Sequence, residues 1–335
     1  MRSVRAISLG DNTVYLLELD GTRVLIDTGP DFEGARDLLK ESLRGAYPDV
    51  VIATHGHLDH AGLGAWWQEQ GLPVALHPLD WPFATGKAPS ESEFAALEQL
   101  ALTSGAPPEL AASAAAAIKS RRAWYVAART IQRHSLAGRD SRWPTALLYR
   151  PFLPRLALED IDVGGLELLH LPGHTPGNAV AWVPSEGWLF SGDQLLPGIT
   201  PTPALQGHHG HGPASDWRFR SLPAFLDALR SLLDLQPNRC FPGHGEPFGD
   251  VVAVIGANLE QAEQRLQRAA GALRDVAGAS LYEVAERLYP RAVRRRFWQI
   301  IATVQGLIDV LESRGLVAYE DGRWRLTQAA STSFS

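Results

Sequence analysis

Cysteine is almost absent from this sequence, which has a single one, Cys240, among its 335 residues. A lone cysteine excludes a disulfide within the chain and any zinc module built from several thiolates. A metal would therefore have to be held by histidine and carboxylate side chains. The same scarcity suits a reducing compartment, and we expect a cytoplasmic protein.

Long apolar runs and an excess of positive charge are missing as well. No stretch reaches the roughly 18 apolar residues that a membrane-spanning helix needs, and the N-terminal segment lacks the pattern of a secretory signal. The formal net charge of −6 gives no general attraction to nucleic acid or to an anionic membrane. A small molecule is therefore the expected partner, and a membrane is not.

The first part of the chain alternates β-rich and helical segments, which predicts an α/β layered fold. Two apolar runs surround Asp20-Gly21, a dipeptide that favours a tight hairpin turn. From about 85 to 145 the sequence becomes rich in alanine and leucine, and Ser90 and Glu93 have the spacing of a capping box. We interpret this stretch as a helical insertion within a first domain of residues 1–275.

Residues 276–335 are predicted to form a separate C-terminal domain. Ser280 and Glu283 form a second capping box, a long helix is predicted over 291–314, and Asp321-Gly322 predicts a hairpin turn. This order of helix, helix and hairpin is winged-helix-like. Such a unit would bind nucleic acid, form a homodimer or provide one wall of an active site, and the sequence leaves these alternatives open.

The main chemical signal is the motif H-x-H-x-D-H, which follows the apolar run "DVVIAT". It places His55, His57, Asp59 and His60 on one turn, where imidazoles and a carboxylate can converge on a metal. Four ligands so close in sequence do not readily surround one tetrahedral ion and leave it an open position. Dividing them between two adjacent ions is easier, so the motif favours a dinuclear centre.

Three further ligands are predicted on loops that follow other strands. They are His174 in "PGHTPG", Asp193 in "SGD" and His244 in "PGHG". A glycine precedes each of them, which permits a sharp turn that directs the side chain across the strand ends.

Together these motifs resemble the metallo-β-lactamase superfamily over roughly residues 6–265. The resemblance implies an αββα sandwich, here with the helical insertion and the C-terminal winged-helix-like unit added. It also implies that His55, His57 and His174 hold one metal, that Asp59, His60 and His244 hold the other, and that Asp193 bridges both. All seven positions match the family pattern.

Two divalent ions would lower the pKa of a bridging water, so the expected attacking group is a metal-bridging hydroxide. Zn is the expected metal, with Fe and Mn as alternatives, because a histidine and carboxylate set serves all three. In the family arrangement Asp59 lies closest to this water, and we expect it to be the catalytic residue. Asp27, Thr54 and Thr175 are predicted to fix the tautomers of the ligating imidazoles.

The predicted function is hydrolysis of a small ester, thioester or lactone. The stretch "GDQLLPGITPTP" after Asp193 is similar to glyoxalase II-like hydrolases, although "GHGEPFGD" departs from the glutathione-binding pattern of that branch. The alternative is a metal-dependent ribonuclease whose winged-helix-like tail binds RNA. That alternative depends on the run of Arg291, Arg294, Arg295 and Arg296, which would contact phosphates.

The remaining histidines are interpreted as ordinary polar residues. His77, His134 and His170 are isolated in the sequence, whereas His208, His209 and His211 lie in a polar loop, "QGHHGHGP", whose role the sequence leaves open.

Overall fold

The computed structural model describes residues 2–127, 147–198, 204–208, 216–274 and 276–328. A five-stranded sheet is built by the N-terminal part of the chain in the order β1-β2-β3-β4-β5. The first three strands are antiparallel, and β3, β4 and β5 are parallel. The strands are β1 (Arg2–Leu9), β2 (Asn12–Leu19), β3 (Thr22–Ile26), β4 (Val50–Ile52) and β5 (Val74–Ala75).

The predicted hairpin between β2 and β3 is confirmed. Asp20 and Gly21 have φ values of 49° and 100°, the left-handed conformations that a two-residue hairpin turn requires. Strand β1 was not predicted. It pairs with β2 along its whole length, from Arg2 opposite Leu19 to Leu9 opposite Asn12.

A second, four-stranded sheet has the order β6-β7-β8-β9. Its strands are β6 (Glu167–His170), β7 (Ala179–Val183), β8 (Trp188–Gly192) and β9 (Arg239–Pro242). Alternate residues of β2 explain how the two sheets meet. Tyr15 and Leu17 lie in one core cluster with Ala181 and Phe190 of the second sheet, so this cluster fills the space between the sheets.

The opposite face of β2 is also buried. Val14 and Leu16 belong to a second cluster that includes Leu39 of helix α1 (Ala35–Leu43) and Trp67 of helix α3 (Gly64–Glu69). A strand covered by a sheet on one side and helices on the other must be apolar throughout, which is why "TVYLLEL" shows little alternation. Two shorter helices, α2 (Leu58–Ala61) and α4 (Trp81–Ala84), carry or adjoin the candidate site.

The chain divides into two compact units. The first unit comprises residues 1–89, 125–201 and 228–255, and the second comprises 90–124, 202–227 and 256–335. Residues 90–124, which fall within the predicted helical insertion, group with residues 256–335. The predicted assignment of a hydrolase domain and a winged-helix-like domain stays a prediction.

The second unit is mainly helical. Beyond those named above, the α-helices of the described residues are α5 (Glu91–Thr103), α6 (Pro108–Ala127), α7 (Ser221–Asp234), α8 (Val251–Gly271), α9 (Leu281–Leu288) and α10 (Phe297–Ser313), and α7 and α8 each belong partly to the first unit. The strands β10 (Val317–Glu320) and β11 (Arg323–Leu326) form the predicted hairpin at Asp321-Gly322. The Tyr282 amide donates to the Ser104 carbonyl at 2.9 Å, so the end of α5 packs against the start of α9.

Helix α10 begins later than predicted. Its first residue is Phe297, and residues 291–296 form turns before it. Arg296 occupies the N-cap position without a side-chain cap, because an arginine offers no acceptor for the free amides of the first turn. The arginine run therefore precedes the helix. Both predicted capping boxes, at Ser90 and Ser280, are present.

Candidate metal centre

All seven predicted ligands lie together in the first unit, on loops that follow four strands. The turn after β4 carries four of them, and one each follows β6, β8 and β9. Their potential ligand atoms form three overlapping groups, with all atoms of a group within 4.8 Å of one another. The groups are His55, His57 and His174, then His55, His60 and Asp193, and then Asp59, His60 and His244.

The first group contains three histidines, and we call it the three-histidine group. His57 Nδ1 lies 3.0 Å from His55 Nε2 and 3.0 Å from His174 Nε2. Burial lowers the pKa of His174 to about 4 and also lowers that of His55, so these rings favour the neutral form. Neutral imidazoles whose nitrogens face one point are the arrangement that a divalent cation needs.

The group of Asp59, His60 and His244 combines one carboxylate with two imidazoles. His244 Nε2 lies 3.2 Å from Asp59 Oδ2, and His60 Nε2 lies 3.7 Å from the same oxygen. His244 Nδ1 is 2.9 Å from the carbonyl of Asp11, which can only accept, so Nδ1 carries the proton. This leaves His244 Nε2 as the atom that would bind a metal.

Asp193 lies where the groups meet. Its Oδ1 is 3.3 Å from His60 Nε2, and its Oδ2 is 3.5 Å from His174 Nε2. Burial opposes ionisation of Asp193, but the imidazoles of His60, His174 and His244 outweigh it and lower its pKa. Within the described residues, no group makes a well-formed hydrogen bond to the buried Oδ1 atom.

The surroundings of Asp193 show that the residues present fit a cation. A buried carboxylate oxygen without a donor is costly unless a ligand satisfies it. Gly243 keeps this space open, because a Cβ atom there would lie 2.5 Å from His60 Cε1 and 2.9 Å from Asp193 Oδ1. The donor set of imidazole nitrogens and carboxylate oxygens is one that Zn, Fe and Mn all accept.

Asp27 and Thr54 take the positions predicted for them beside the ligands. Asp27 Oδ2 accepts from His60 Nδ1 at 2.7 Å, and Asp27 Oδ1 accepts from both the amide and the hydroxyl of Thr54 at 2.8 Å. Because the Thr54 hydroxyl donates to Asp27, it accepts from His55 Nδ1, 3.1 Å away. One carboxylate thus fixes the tautomers of His55 and His60, which leaves Nε2 of each free for a metal.

Thr175 does not have its predicted role. Its hydroxyl donates to Asp80 Oδ2 at 2.6 Å, and no hydrogen bond joins it to an imidazole in the described structure. Asp80 is fully buried and was not predicted. A signal existed, because Asp80 follows β5 just as Asp27 follows β3 and His55 follows β4. Parallel strands bring their carboxyl ends to one edge of the sheet, where sites are expected.

The other histidines lie outside the three groups. His77 and His170 stack on each other, with ring centroids 3.8 Å apart and planes 14° from parallel. His208 belongs to the second unit, where its ring lies 6.3 Å from that of Phe219. The predictions for His134, His209 and His211 fall outside the described residues.

Comparison with known proteins agrees with this geometry. The model of the family described as "Metallo-beta-lactamase superfamily" matches residues 7–244, a span that contains all seven residues. The chain belongs to the metallo-beta-lactamase superfamily. Whether it belongs to the glyoxalase II-like branch stays a prediction.

Relatives and solved structures extend the likeness. The chain is 26% identical to "Probable metallo-hydrolase YqjP" of Bacillus subtilis over 322 residues, which cover 94% of this chain and 92% of that protein. It is 33% identical over 276 residues to "Beta-lactamase-like protein 2 homolog" of Drosophila melanogaster, covering 78% and 69% of the two chains.

Among solved structures, a metallo-beta-lactamase family protein from Thermus thermophilus has a TM-score of 0.67 and 23% identity, covering 97% of this chain and 98% of its own. A beta-lactamase domain protein from Burkholderia ambifaria has a TM-score of 0.64 and 18% identity, covering 97% and 92%. The mixed α/β metallo-beta-lactamase fold is thereby shown. Among the described residues, none of the helices has both the length and the apolar character required to cross a bilayer.

Proposed function

We propose that this protein is a metal-dependent hydrolase that holds two divalent ions and cleaves a small ester, thioester or lactone. The observation that carries this proposal is the position of Asp193. One of its oxygens faces His60, the other faces His174, and no donor within the described residues satisfies the first of them. A carboxylate placed in this way is suited to join two adjacent cations.

Divalent ions bound at such a centre lower the pKa of a coordinated water and polarise the oxygen of a substrate. His55, His57 and His174 would hold one ion, and Asp59, His60 and His244 the other, with Asp193 between them. We propose Zn as the metal, with Fe and Mn as alternatives. The name of the Bacillus relative, a probable metallo-hydrolase, supports this class of reaction.

Asp59 is proposed as the catalytic carboxylate because it is the one that water and substrate can reach. Its side chain is 28% exposed, compared with 11% for Asp193 and 2% for Asp27. From this position Asp59 can orient an attacking water or accept its proton. The stretch "GDQLLPGITPTP" after Asp193, which is similar to glyoxalase II-like hydrolases, supports an acyl substrate.

Metal analysis of the purified protein, combined with an ester, thioester, lactone, phosphodiester and β-lactam panel, tests the proposal. We expect about two ions per chain and hydrolysis of at least one acyl substrate. Asp59→Ala, which removes one of the three groups proposed to hold the second ion, should bind that ion more weakly and turn over slowly, whereas Asp193→Ala should weaken binding of both ions and lose turnover. Absence of metal uptake, or of hydrolysis across the panel, would overturn the proposal.

The second candidate function is ribonuclease activity, and one observation favours it. Arg291, Arg294, Arg295 and Arg296 are all exposed, and none forms an ion pair with a carboxylate of the described residues. Four such guanidinium groups within six residues are suited to phosphate contacts. Helix α10, however, is buried from Val304 to Leu311, so this part of it is not available to enter a groove of a nucleic acid.

Gel-shift of single-stranded RNA at two salt concentrations distinguishes this candidate from the first. If the arginines bind phosphates, the affinity for RNA falls as the salt concentration rises. A plot of the logarithm of the association constant against the logarithm of the salt concentration should then have a slope of about −0.7 for each phosphate contacted. Replacing all four arginines by glutamine should then flatten that slope. RNA binding whose affinity does not depend on salt concentration would overturn the ribonuclease proposal, and so would the absence of both binding and cleavage.

A further inference from the structure

We propose that Asp80 is a positioning residue that sets the spacing of the three-histidine group, by clamping the loop of His55 and His57 to the loop of His174. This inference rests on the metal centre proposed above. Asp80 ends a single 3₁₀ turn, Pro78–Asp80, after strand β5, and its side chain is fully buried. It is not itself a member of any group of candidate ligands among the described residues.

The side-chain hydrogen bonds that the described structure gives Asp80 come from these two loops. Its Oδ2 accepts from the Gly56 amide at 2.8 Å and from the Thr175 hydroxyl at 2.6 Å, and its Oδ1 accepts from the Gly177 amide at 2.7 Å. Gly56 lies between two ligands of the group, and Thr175 follows the third. The carboxylate therefore connects the backbone segments that carry the three histidines, which come from distant parts of the sequence.

Close backbone approach shows that this contact is built into both loops. A Cβ atom on Gly177 would lie 2.7 Å from Asp80 Oδ1, and one on Gly56 would lie 3.0 Å from the Asp80 carbonyl oxygen. Side chains at these positions would force the loops away from Asp80. The neighbouring Phe83 adds a packing contact, because its ring lies edge-on to His57 with centroids 5.7 Å apart.

The other half of the centre is supported differently. His60 is held by Asp27, and His244 by the carbonyl of Asp11. Neither contact involves Asp80. Loss of the clamp should therefore weaken the ion held by the three-histidine group and leave the ion held by Asp59, His60 and His244 in place. Residues that orient metal ligands in this way contribute about 10- to 100-fold in metal affinity.

The test compares six apo proteins: wild type, Asp80→Asn, Thr175→Val, the control Asp309→Asn, and the two ligand variants His57→Ala and His244→Ala as spectral references. Asp80→Asn keeps the size of the side chain but leaves only one acceptor oxygen for three donors, and Thr175→Val removes one of those donors. Asp309 is a matched control, because it is also buried and hydrogen-bonded but lies in the second unit. Each protein is titrated with Co²⁺, and the absorption spectrum and both affinities are recorded.

We expect Asp80→Asn to bind one Co²⁺ about 10- to 100-fold more weakly than wild type and the other with unchanged affinity. The spectrum of its first equivalent should match that of His57→Ala, which lacks a three-histidine ligand, and differ from that of His244→Ala. Thr175→Val should shift affinity in the same direction by less. Asp309→Asn should keep both affinities, whatever happens to its unfolding midpoint.

Wild-type affinities at both positions in Asp80→Asn would overturn the inference, and so would equal weakening of both ions, because that indicates a general loosening of the fold. If Asp80→Asn does not fold, Thr175→Val carries the same test by the same spectral criterion. A wild-type protein that takes up no Co²⁺ would overturn the proposed function as well. If wild type binds two Co²⁺ ions and Asp80→Asn binds both with the same affinities, only this inference is overturned.

Discussion

Buried carboxylates occur in both compact units, but their surroundings differ. In the second unit, Asp309 accepts from Arg218 and Gln305, and Glu93 accepts from the amides of Ser90 and Gly207. Donors from the protein thus satisfy these carboxylates. In the first unit, Asp193 keeps a buried oxygen without a hydrogen-bond donor in the described structure and is surrounded by imidazole nitrogens.

This difference distinguishes carboxylates that are buried for structural reasons from a carboxylate that is buried at a candidate metal site. A paired carboxylate stabilises or fixes one arrangement of the chain, and its removal leaves the partner uncompensated. A buried carboxylate oxygen that faces imidazole nitrogens and has no ordinary hydrogen-bond donor is instead placed to be satisfied by a bound cation. We therefore expect substitution of Asp193 to change metal binding and turnover, and substitution of Asp309 to change stability.

The largest effect is expected for Asp193→Ala. Loss of the carboxylate that we propose to join both ions should remove several kcal/mol of electrostatic stabilisation, and about 4 kcal/mol corresponds to about a thousandfold in rate. Steady-state kinetics on the best acyl substrate and metal analysis measure this. Urea unfolding of the apo protein checks that the variant still folds, which is expected because Asp193 Oδ1 has no hydrogen bond to lose among the described residues. If Asp193→Ala kept both ions and wild-type turnover, the proposed difference between Asp193 and the carboxylates of the second unit would be wrong.

Asp309→Ala should show the opposite behaviour. It leaves Arg218, whose side chain is only 12% exposed, without the carboxylate that binds both of its terminal nitrogens. Breaking a buried pair from one side costs about 3 kcal/mol or more. A lower urea midpoint with unchanged metal content and turnover is expected. A loss of metal in the folded variant would show that Asp309 also affects metal binding, contrary to the expected difference between it and Asp193.

Asp27→Asn should have an intermediate effect. The amide keeps the shape of the side chain but weakens the bond to His60 Nδ1, so affinity for the ion at Asp59, His60 and His244 should fall about 10- to 100-fold. Asp20→Asn is a matched control, because both aspartates have left-handed backbones, with φ of 66° and 49°. Chelator competition measures the affinities. Equal effects of the two substitutions would point to the backbone instead of the carboxylate.

The convergence of the seven candidate ligands could be predicted from sequence because each belongs to a local pattern. His55 and its neighbours follow an apolar strand, and a glycine precedes each distant ligand, so strand ends and turns were enough to bring seven residues to one place. The position of Asp80 after β5 was a signal of the same kind, but its hydrogen-bond partners could not be found in this way. Its donors are two backbone amides and a hydroxyl from loops about a hundred residues apart, and backbone donors leave no residue pattern.

The second unit was predicted less well for a related reason. Its helices could be recognised from capping and composition, but their grouping depends on contacts such as the Tyr282 amide on the Ser104 carbonyl, which no periodicity encodes. The start of α10 was placed too early because the arginine run is compatible with a helix. The one sequence feature that argues against a helix start near residue 291 is the lack of a side-chain acceptor to cap the free amides of a first turn there.

The smallest effect is expected for Ser280→Ala, which removes the acceptor of the Glu283 amide at the start of α9. The cost should be about 1 kcal/mol in the free energy of unfolding, and Ser90→Ala, at the matching capping box of α5, should cost about the same. Urea titrations with metal analysis measure both variants. The metal content of both variants should equal that of wild type. A changed metal content in either variant would contradict the expectation that these substitutions affect stability alone.

Glu283 adds a pH dependence to this prediction. Burial raises its pKa, but the hydrogen bonds from Ser280 and Arg323 outweigh burial, and the pKa in the folded state is lowered. The stability that Glu283 contributes is therefore present above its unfolded pKa and is lost as the pH falls through its folded pKa. Glu283→Gln should be less stable than wild type at neutral pH, and the difference should shrink in acid. A difference that stays constant with pH would assign the effect to packing, because the charge of Glu283 would then contribute nothing.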